Sequence, residues 1–170
     1  WEQYGSTPDY RERAAAVLAL IPPSVRSILD VGCGTGDVVR AITDARPGIS
    51  SVGCDSSPSA LARAPGRVVR AGLPELPFRD KSFDLLLCLE VLEHIAEASY
   101  AASLRELERL AGRYIIIGVP YRENLLTKQV LCGSCGRVSH ADCHVRAYTR
   151  RELHRLLQGF AVKKTVLAGI

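Results

Sequence analysis

The stretch Ser27–Asp37, S-I-L-D-V-G-C-G-T-G-D, runs an apolar strand straight into a glycine-rich turn. Ile28, Leu29 and Val31 read as a buried strand. Gly32, Gly34 and Gly36 let the backbone turn tightly and approach a ligand that any side chain would block. A helix starts at once, with Val38, Val39 and Ile42 as its apolar stripe, so its unpaired amide groups point at whatever occupies the turn. The register of the glycines matters more than their number. A dinucleotide fingerprint G-x-G-x-x-G would need glycine at position 37, where the chain has Asp37; the spacing here is G-x-G-x-G. A second apolar segment, Ser51 to Cys54, ends in Asp55, where a doubly wound fold brings the end of its second strand beside the glycine turn. A carboxylate there can accept both hydroxyls of a ribose, or it can cap the helix that begins near Pro58. The two elements together point to an adenosine-type ligand.

The G-x-G-x-G turn preceded by Asp30 resembles the first motif of the class I S-adenosylmethionine-dependent methyltransferases. The resemblance implies that Gly32, Cys33, Gly34 and Gly36 shape the cofactor cradle, that Asp55 holds the ribose and that Ser56 belongs to the same cofactor site. It also implies that Asp30 orients the methionine amino group or a water. Leu76 to Ile95, L-P-F-R-D-K-S-F-D-L-L-L-C-L-E-V-L-E-H-I, is similar to the small-molecule (methyltransferase domain 11-like) branch of that family. In that branch the L-P-F loop runs beside the adenine, so Leu73 and Leu89 are expected to flank the adenine or methionine end. One departure stands out: the branch usually has an acidic residue about four positions before L-P-F, and this chain has Gly72.

Elsewhere the chain alternates strands and helices, which predicts a doubly wound, mostly parallel α/β sheet of Rossmann-like type. Pro8 to Leu20 reads as a helix with Ala14, Val17, Leu18 and Ile21 at helical spacing, stopped by Pro22 and Pro23. The aromatics Trp1, Tyr4 and Tyr10 ahead of and within it are candidates for a lid or for packing. Pro58 to Arg63 reads as a short helix, Val68 to Ala71 as the third strand and Phe83 to Cys88 as the fourth. Tyr100 to Ala111 has the pattern of an amphipathic helix stopped by Gly112, and Tyr114 to Val119 that of the fifth strand. Thr149 to Leu157 is a further helix opened by a Thr149/Glu152 capping box. Phe160 to Leu167 reads as a sixth strand. The family's last, antiparallel strand needs more chain than remains before Ile170. The whole is expected to be one domain over residues 1–170, with a Cys/His-rich insertion at about 121–147.

At 170 residues with 47% apolar content, a disordered or fibrous chain is excluded. The net charge of +4 comes from scattered arginines, which reads as a solvated face rather than a nucleic-acid surface. Without a long apolar run or a basic leader, the expected location is the cytoplasm, away from membranes. The chain begins at Trp1 and holds no methionine, which points to a start residue ahead of it. Cys33, Cys54 and Cys88 fall in or beside core strands and read as small buried hydrophobes. Nothing in the sequence speaks to oligomeric state.

Two candidate metal sites compete for one histidine. Cys132 and Cys135 form a C-x-x-C knuckle with Gly133 and Gly136, and Cys143 or His144, with His140, can complete a zinc tetrahedron. Glu90, Glu93 and His94, the E-x-x-E-H after the fourth strand, form the rival set with His144, and two carboxylates with two imidazoles suit magnesium or manganese better than zinc. This second set resembles the metal site of small-RNA 2'-O-methyltransferases, where the last histidine is followed, as in H-V-R-A-Y-T-R-R-E-L, by an aromatic residue, threonine and arginine. A third reading needs no active-site metal: His94, with Glu90 beside it, acts as general base toward an acceptor hydroxyl. The expected activity is methyl transfer from S-adenosylmethionine to a small acceptor, at oxygen. The alternatives are a metal-dependent RNA ribose methyltransferase and a non-catalytic cofactor-binding scaffold.

Overall fold

Strand β1 (Ser27–Val31) is the centre of the sheet, and its Ile28, Leu29, Asp30 and Val31 are all buried. The structure is a computed structural model and describes residues 8–168. β1 pairs in parallel with β2 (Ser50–Asp55) on one side and β4 (Phe83–Leu89) on the other. β3 (Arg67–Arg70) lies beside β2 and β5 (Ala111–Gly118) beside β4, so the order is β3-β2-β1-β4-β5 with every pair parallel. A parallel sheet covered on both faces needs near-continuous apolar strands, which is what S-I-L-D-V and F-D-L-L-L-C-L supply. Strand order reverses between β1 and β4, and ligands of open α/β sheets bind outside the carboxyl ends of the strands at that point.

Side chains alternate between the two faces along each strand. Ile28, Leu85 and Leu87 face one way and pack with Val17 of α1 (Pro8–Leu20) and Ile42 of α2 (Asp37–Ala45). Leu29, Leu86 and Cys88 face the other way and pack with Leu107 and Leu110 of α4 (Glu97–Leu110). Each of these leucines is fully buried, a contribution of roughly 1.5–3 kcal/mol apiece. A single turn, α3 (Pro58–Leu61), follows β2 and is capped by the Ser57 hydroxyl. Among the described residues no helix is long and apolar enough to cross a membrane.

Several elements differ from the sequence expectation. α4 begins at Glu97, three residues early, and ends at Leu110 without using Gly112 as its stop. Gly112 is already inside β5, where a Cβ would come within 3.0 Å of the Phe83 carbonyl oxygen. The capping box at Thr149 is present, but the helix it opens, α5 (Arg150–Leu153), is one turn long. Beyond it the chain tightens into i→i−3 bonds, Arg155 N–H to Glu152 O and Leu156 N–H to Leu153 O. No strand forms over Phe160–Leu167. A parallel strand beside β5 needs a crossover of a dozen or so residues, and a single turn does not supply one. Gly159 N–H instead donates to the Glu108 carboxylate, which draws this segment back toward α4, and Phe160 packs on the α4 side of the core. Trp1 and Tyr4, and the side chain of Tyr10, lie outside the described residues. The insertion after β5 contains a hairpin the sequence did not announce, β6 (Gln129–Leu131) paired antiparallel with β7 (Val138–His140).

Candidate active site at the switch point

The glycine turn is seated on the end of β2. Gly32 and Cys33 both donate their N–H to Cys54 O, at 2.8 and 3.0 Å. Gly34 N–H donates to Asp55 Oδ2 at 2.9 Å, while Ser57 N–H donates to Asp55 Oδ1 at 2.8 Å. Gly32 and Gly34 sit at φ +77° and +54°, conformations that L side chains rarely adopt, and a Cβ on Gly32 would drive into the Val91 side chain. Asp55 thus does two jobs: it shapes the turn, and each of its oxygens keeps a lone pair for a ligand hydroxyl. Asp30 is 3% exposed, and burial, followed by the nearby Asp55 charge, pushes its carboxyl up to about 7. Asp37 opens α2, accepting from Thr35 Oγ1 at 2.6 Å and pairing with Arg40.

The L-P-F loop is held from α4. Leu76 N–H donates to Glu106 Oε1, and the Arg109 guanidinium donates to both Leu76 O and Phe78 O. Ser56 is exposed, and Leu73 and Leu89 are half-buried. Gly72, where the branch has an acid, lies against Ser56: a Cβ there would be 3.3 Å from the Ser56 Cβ.

Glu90 follows β4 in the left-handed region, φ +55°, its N–H bonded to Gly118 O. Its carboxylate is 3.4 Å from the Arg13 guanidinium of α1; burial raises its pKa and Arg13 partly offsets the rise. The next residues make a tight turn, Leu92–His94. Glu93 on this turn is 0% exposed and neither carboxylate oxygen has a hydrogen-bond partner; burial pushes its pKa up to about 7. His94 is exposed, and its pKa is lowered by partial desolvation and then by His144, against a hydrogen bond to the Cys143 backbone.

The insertion returns to this turn. Val145 N–H donates to Glu93 O at 2.8 Å, and Arg146 donates to Leu92 O, pairs with Glu97 and stacks over Tyr100 at 3.6 Å. These contacts bring His144 edge-on to His94, ring centroids 4.8 Å apart. Glu93, His94 and His144 each place a ligand atom within 4.8 Å of the others. A second cluster, Glu123, His140, Asp142 and His144, meets the same distance. The Lys128 ammonium sits 3.0 Å from Asp142 and 4.0 Å from Glu123, and His140 Nδ1 accepts the Asp142 N–H, so a cation of the chain itself already occupies the acidic side of this cluster. The sequence reading missed Glu123 and Asp142. Glu123 carried one usable signal, a carboxylate just past the carboxyl end of β5.

The cysteine tetrahedron does not form. Cys132 and Cys135 do make a knuckle, with Gly136 N–H bonded to Cys132 O, and hydrogen bonds to the Cys135 and Ser134 backbone lower the Cys132 thiol pKa. The β6–β7 register pairs Gln129 with His140, so the knuckle is at the hairpin tip and His140 at its base, about 10 Å away at strand spacing. Cys143 and His144 lie beyond that base, and His144 is committed to Glu123 and His94. Among the described residues no cysteine joins a group of three ligand atoms. Cys33, Cys54 and Cys88 are buried free thiols, with burial holding Cys33 and Cys54 at about 12.

Glycine turn, β4 end and insertion border one cleft of about 1950 Å³, lined among others by Arg13, Asp30, Gly34, Glu90, His94 and His144. A family model described as a methyltransferase domain matches residues 29–114, just over half the chain. A ubiquinone biosynthesis O-methyltransferase of Paracidovorax citrulli is 34% identical over 105 residues, covering 55% of this chain and 43% of that protein. A demethylmenaquinone methyltransferase of Thermus thermophilus is 31% identical over 124 residues, covering 66% of this chain and 56% of that protein. The chain spans about half the length of the curated relatives it matches. The solved structure of Burkholderia thailandensis 1,6-didemethyltoxoflavin-N1-methyltransferase, with 1,6-didemethyltoxoflavin and S-adenosylhomocysteine bound, shares the fold. Its TM-score is 0.63 at 21% identity, over 93% of this chain and 70% of that one. With a family model matching just over half of it and a five-stranded parallel sheet at its core, the chain belongs to the methyltransferase-domain family of class I S-adenosylmethionine-dependent methyltransferases.

Proposed function

We propose that this chain transfers the methyl group of S-adenosylmethionine to a small-molecule acceptor, at oxygen, in the cytoplasm. In this reading residues 1–170 are one methyltransferase domain with an insertion at about 121–147. The observation that carries it is the shared cleft: the Asp55-braced glycine turn and the Glu90–His94 segment open into the same space. The cofactor fits the residues present, because Asp30 is a buried carboxylate short of a cation and Asp55 has lone pairs to spare. Gly32, Cys33, Gly34 and Gly36 would cradle it, Asp55 and Ser56 would take the ribose, and Asp30 the methionine amino group. Leu73 and Leu89 would flank it. When bound, S-adenosylmethionine supplies an electrophilic methyl on a sulfonium, a good leaving group.

His94, held neutral at pH 7 by its lowered pKa, accepts the proton of the acceptor hydroxyl. Glu90, tied to Arg13, orients that hydroxyl against α1. The name of the Paracidovorax relative favours oxygen as the acceptor atom. Incubation with labelled S-adenosylmethionine and a pool of hydroxylated small molecules should give labelled ethers; label found only on amines or carbon overturns the oxygen assignment. His94→Gln should lower kcat about 100-fold with S-adenosylhomocysteine affinity unchanged. A loss of only a few-fold would leave alignment of donor and acceptor as the main source of rate.

One observation favours a second reading, an RNA ribose 2'-O-methyltransferase using a divalent cation. Glu93, His94 and His144 converge, and the two buried Glu93 oxygens have no partner, as expected of a carboxylate that binds a cation. Glu90 stands three residues before Glu93 as the fourth candidate ligand. Methylation of small RNA that requires added magnesium or manganese would select this reading over the first.

A further inference from the structure

We propose that Glu123, with His140 behind it, is a positioning residue that fixes the tautomer of His144, leaving His144 Nε2 as a free donor toward a divalent cation shared with Glu93 and His94. The proposal rests on the metal-dependent reading above. Glu123 Oε2 lies within hydrogen-bond distance of His144 Nδ1, and both side chains are largely buried, 13% and 9% exposed. An ionised carboxylate can only accept, so the ring proton stands on Nδ1 and the lone pair on Nε2. This is the carboxylate–histidine pairing that orients metal ligands and raises their basicity.

The other Glu123 oxygen is held from behind. His140 Nδ1 accepts the Asp142 backbone N–H at 3.3 Å, which puts the His140 proton on Nε2, 3.7 Å from Glu123 Oε1. That Nε2 is buried and has no hydrogen-bond partner, which leaves Glu123 Oε1 as the acceptor it faces. The His140 and His144 rings stack at 4.8 Å and 17°, which sets the plane of His144. The Lys128 ammonium lies 4.0 Å from the same oxygen, Glu123 Oε1. The insertion therefore places a prepared imidazole, not a freely rotating one, edge-on to His94 and with a ligand atom within 4.8 Å of the partnerless Glu93 carboxylate.

The test uses the full chain with ¹⁵N-labelled histidine and Mn²⁺ as the probe. Two-bond ¹H–¹⁵N spectra of the metal-free protein should show His144 as the Nδ1–H tautomer, and paramagnetic resonance of free Mn²⁺ should report its uptake. Glu123→Ala should lose that tautomer preference and weaken Mn²⁺ about 10- to 100-fold. Glu123→Gln, whose amide oxygen still accepts from Nδ1–H, should keep the tautomer and recover part of the affinity. S-adenosylhomocysteine affinity should be unchanged in both variants, which checks that they fold. A wild-type His144 in the Nε2–H form, or an unchanged tautomer in Glu123→Ala, overturns the positioning role. A wild type that shows the Nδ1–H tautomer yet takes up no Mn²⁺ overturns the metal-dependent reading instead.

Discussion

Replacing Asp55 with alanine should weaken S-adenosylhomocysteine binding by about 3–4 kcal/mol, roughly 200- to 1000-fold in Kd. Two losses add up in this variant. The direct one is the charge-assisted acceptance of ribose hydroxyls. The indirect one comes from the turn, because the Asp55 oxygens hold Gly34 N–H at 2.9 Å and Ser57 N–H at 2.8 Å, and without them the turn loses its brace. Asp55→Asn separates the two: its amide oxygen can still accept from one N–H, so it should recover a part of the loss. Calorimetric titration reads the effect directly. Affinity unchanged in a folded Asp55→Ala protein would remove Asp55 from the binding site.

The stability of the ligand-free protein should fall by about 4 kcal/mol as pH rises from about 4 to 7, through Asp30 alone. Its carboxyl, at 3.8 in the unfolded chain, is pushed up to about 7 in the fold by burial and by the Asp55 charge. Between those values the folded chain holds a proton that the unfolded chain has released. Raising the pH therefore favours unfolding until the folded carboxyl has also ionised, and the curve flattens above 7. Glu93 shifts in the same direction, while Asp84, Glu106 and Asp142 shift the opposite way, so the difference between wild type and Asp30→Asn isolates the effect. Urea unfolding of both proteins at pH 4, 5.5 and 8 measures it. A constant difference across pH would mean that Asp30 ionises in the fold as it does in water. A desolvated carboxylate of this kind, next to the cradle, is suited to the cationic amino group of the cofactor, and ligand binding should relieve the pH dependence.

The sheet was legible because its signals are local. An apolar run ending in G-x-G-x-G, or in Glu90 after F-D-L-L-L-C-L, states both a strand and the edge where it stops. The fifth strand and the α4 helix were displaced by only a few residues, since amphipathic period marks an element better than its ends. Phe160 to Leu167 misled for the same reason that the others succeeded. Its apolar composition fits a strand, but a strand also needs a neighbour it can reach, and the single turn α5 ahead of it does not provide the crossover.

The histidines of the insertion divide the two kinds of information most clearly. By itself the sequence determined that a strand, a glycine turn and an acidic second-strand end would meet at one edge of the sheet, because spacing within a few residues dictates that geometry. It also determined that Glu90, Glu93 and His94 would sit at the carboxyl end of the fourth strand. It could not determine the partners of His140 and His144. Proximity in the chain favoured Cys132, Cys135 and Cys143, whereas the hairpin register carries the knuckle to one end and leaves His140 at the other. The bond from Val145 N–H to Glu93 O and the Arg146 contacts then fold His144 against His94, and a carboxylate from just beyond β5, Glu123, takes its Nδ1. Those pairings depend on hydrogen-bond register and on contacts between residues 21 to 54 positions apart, and only the folded chain decides them.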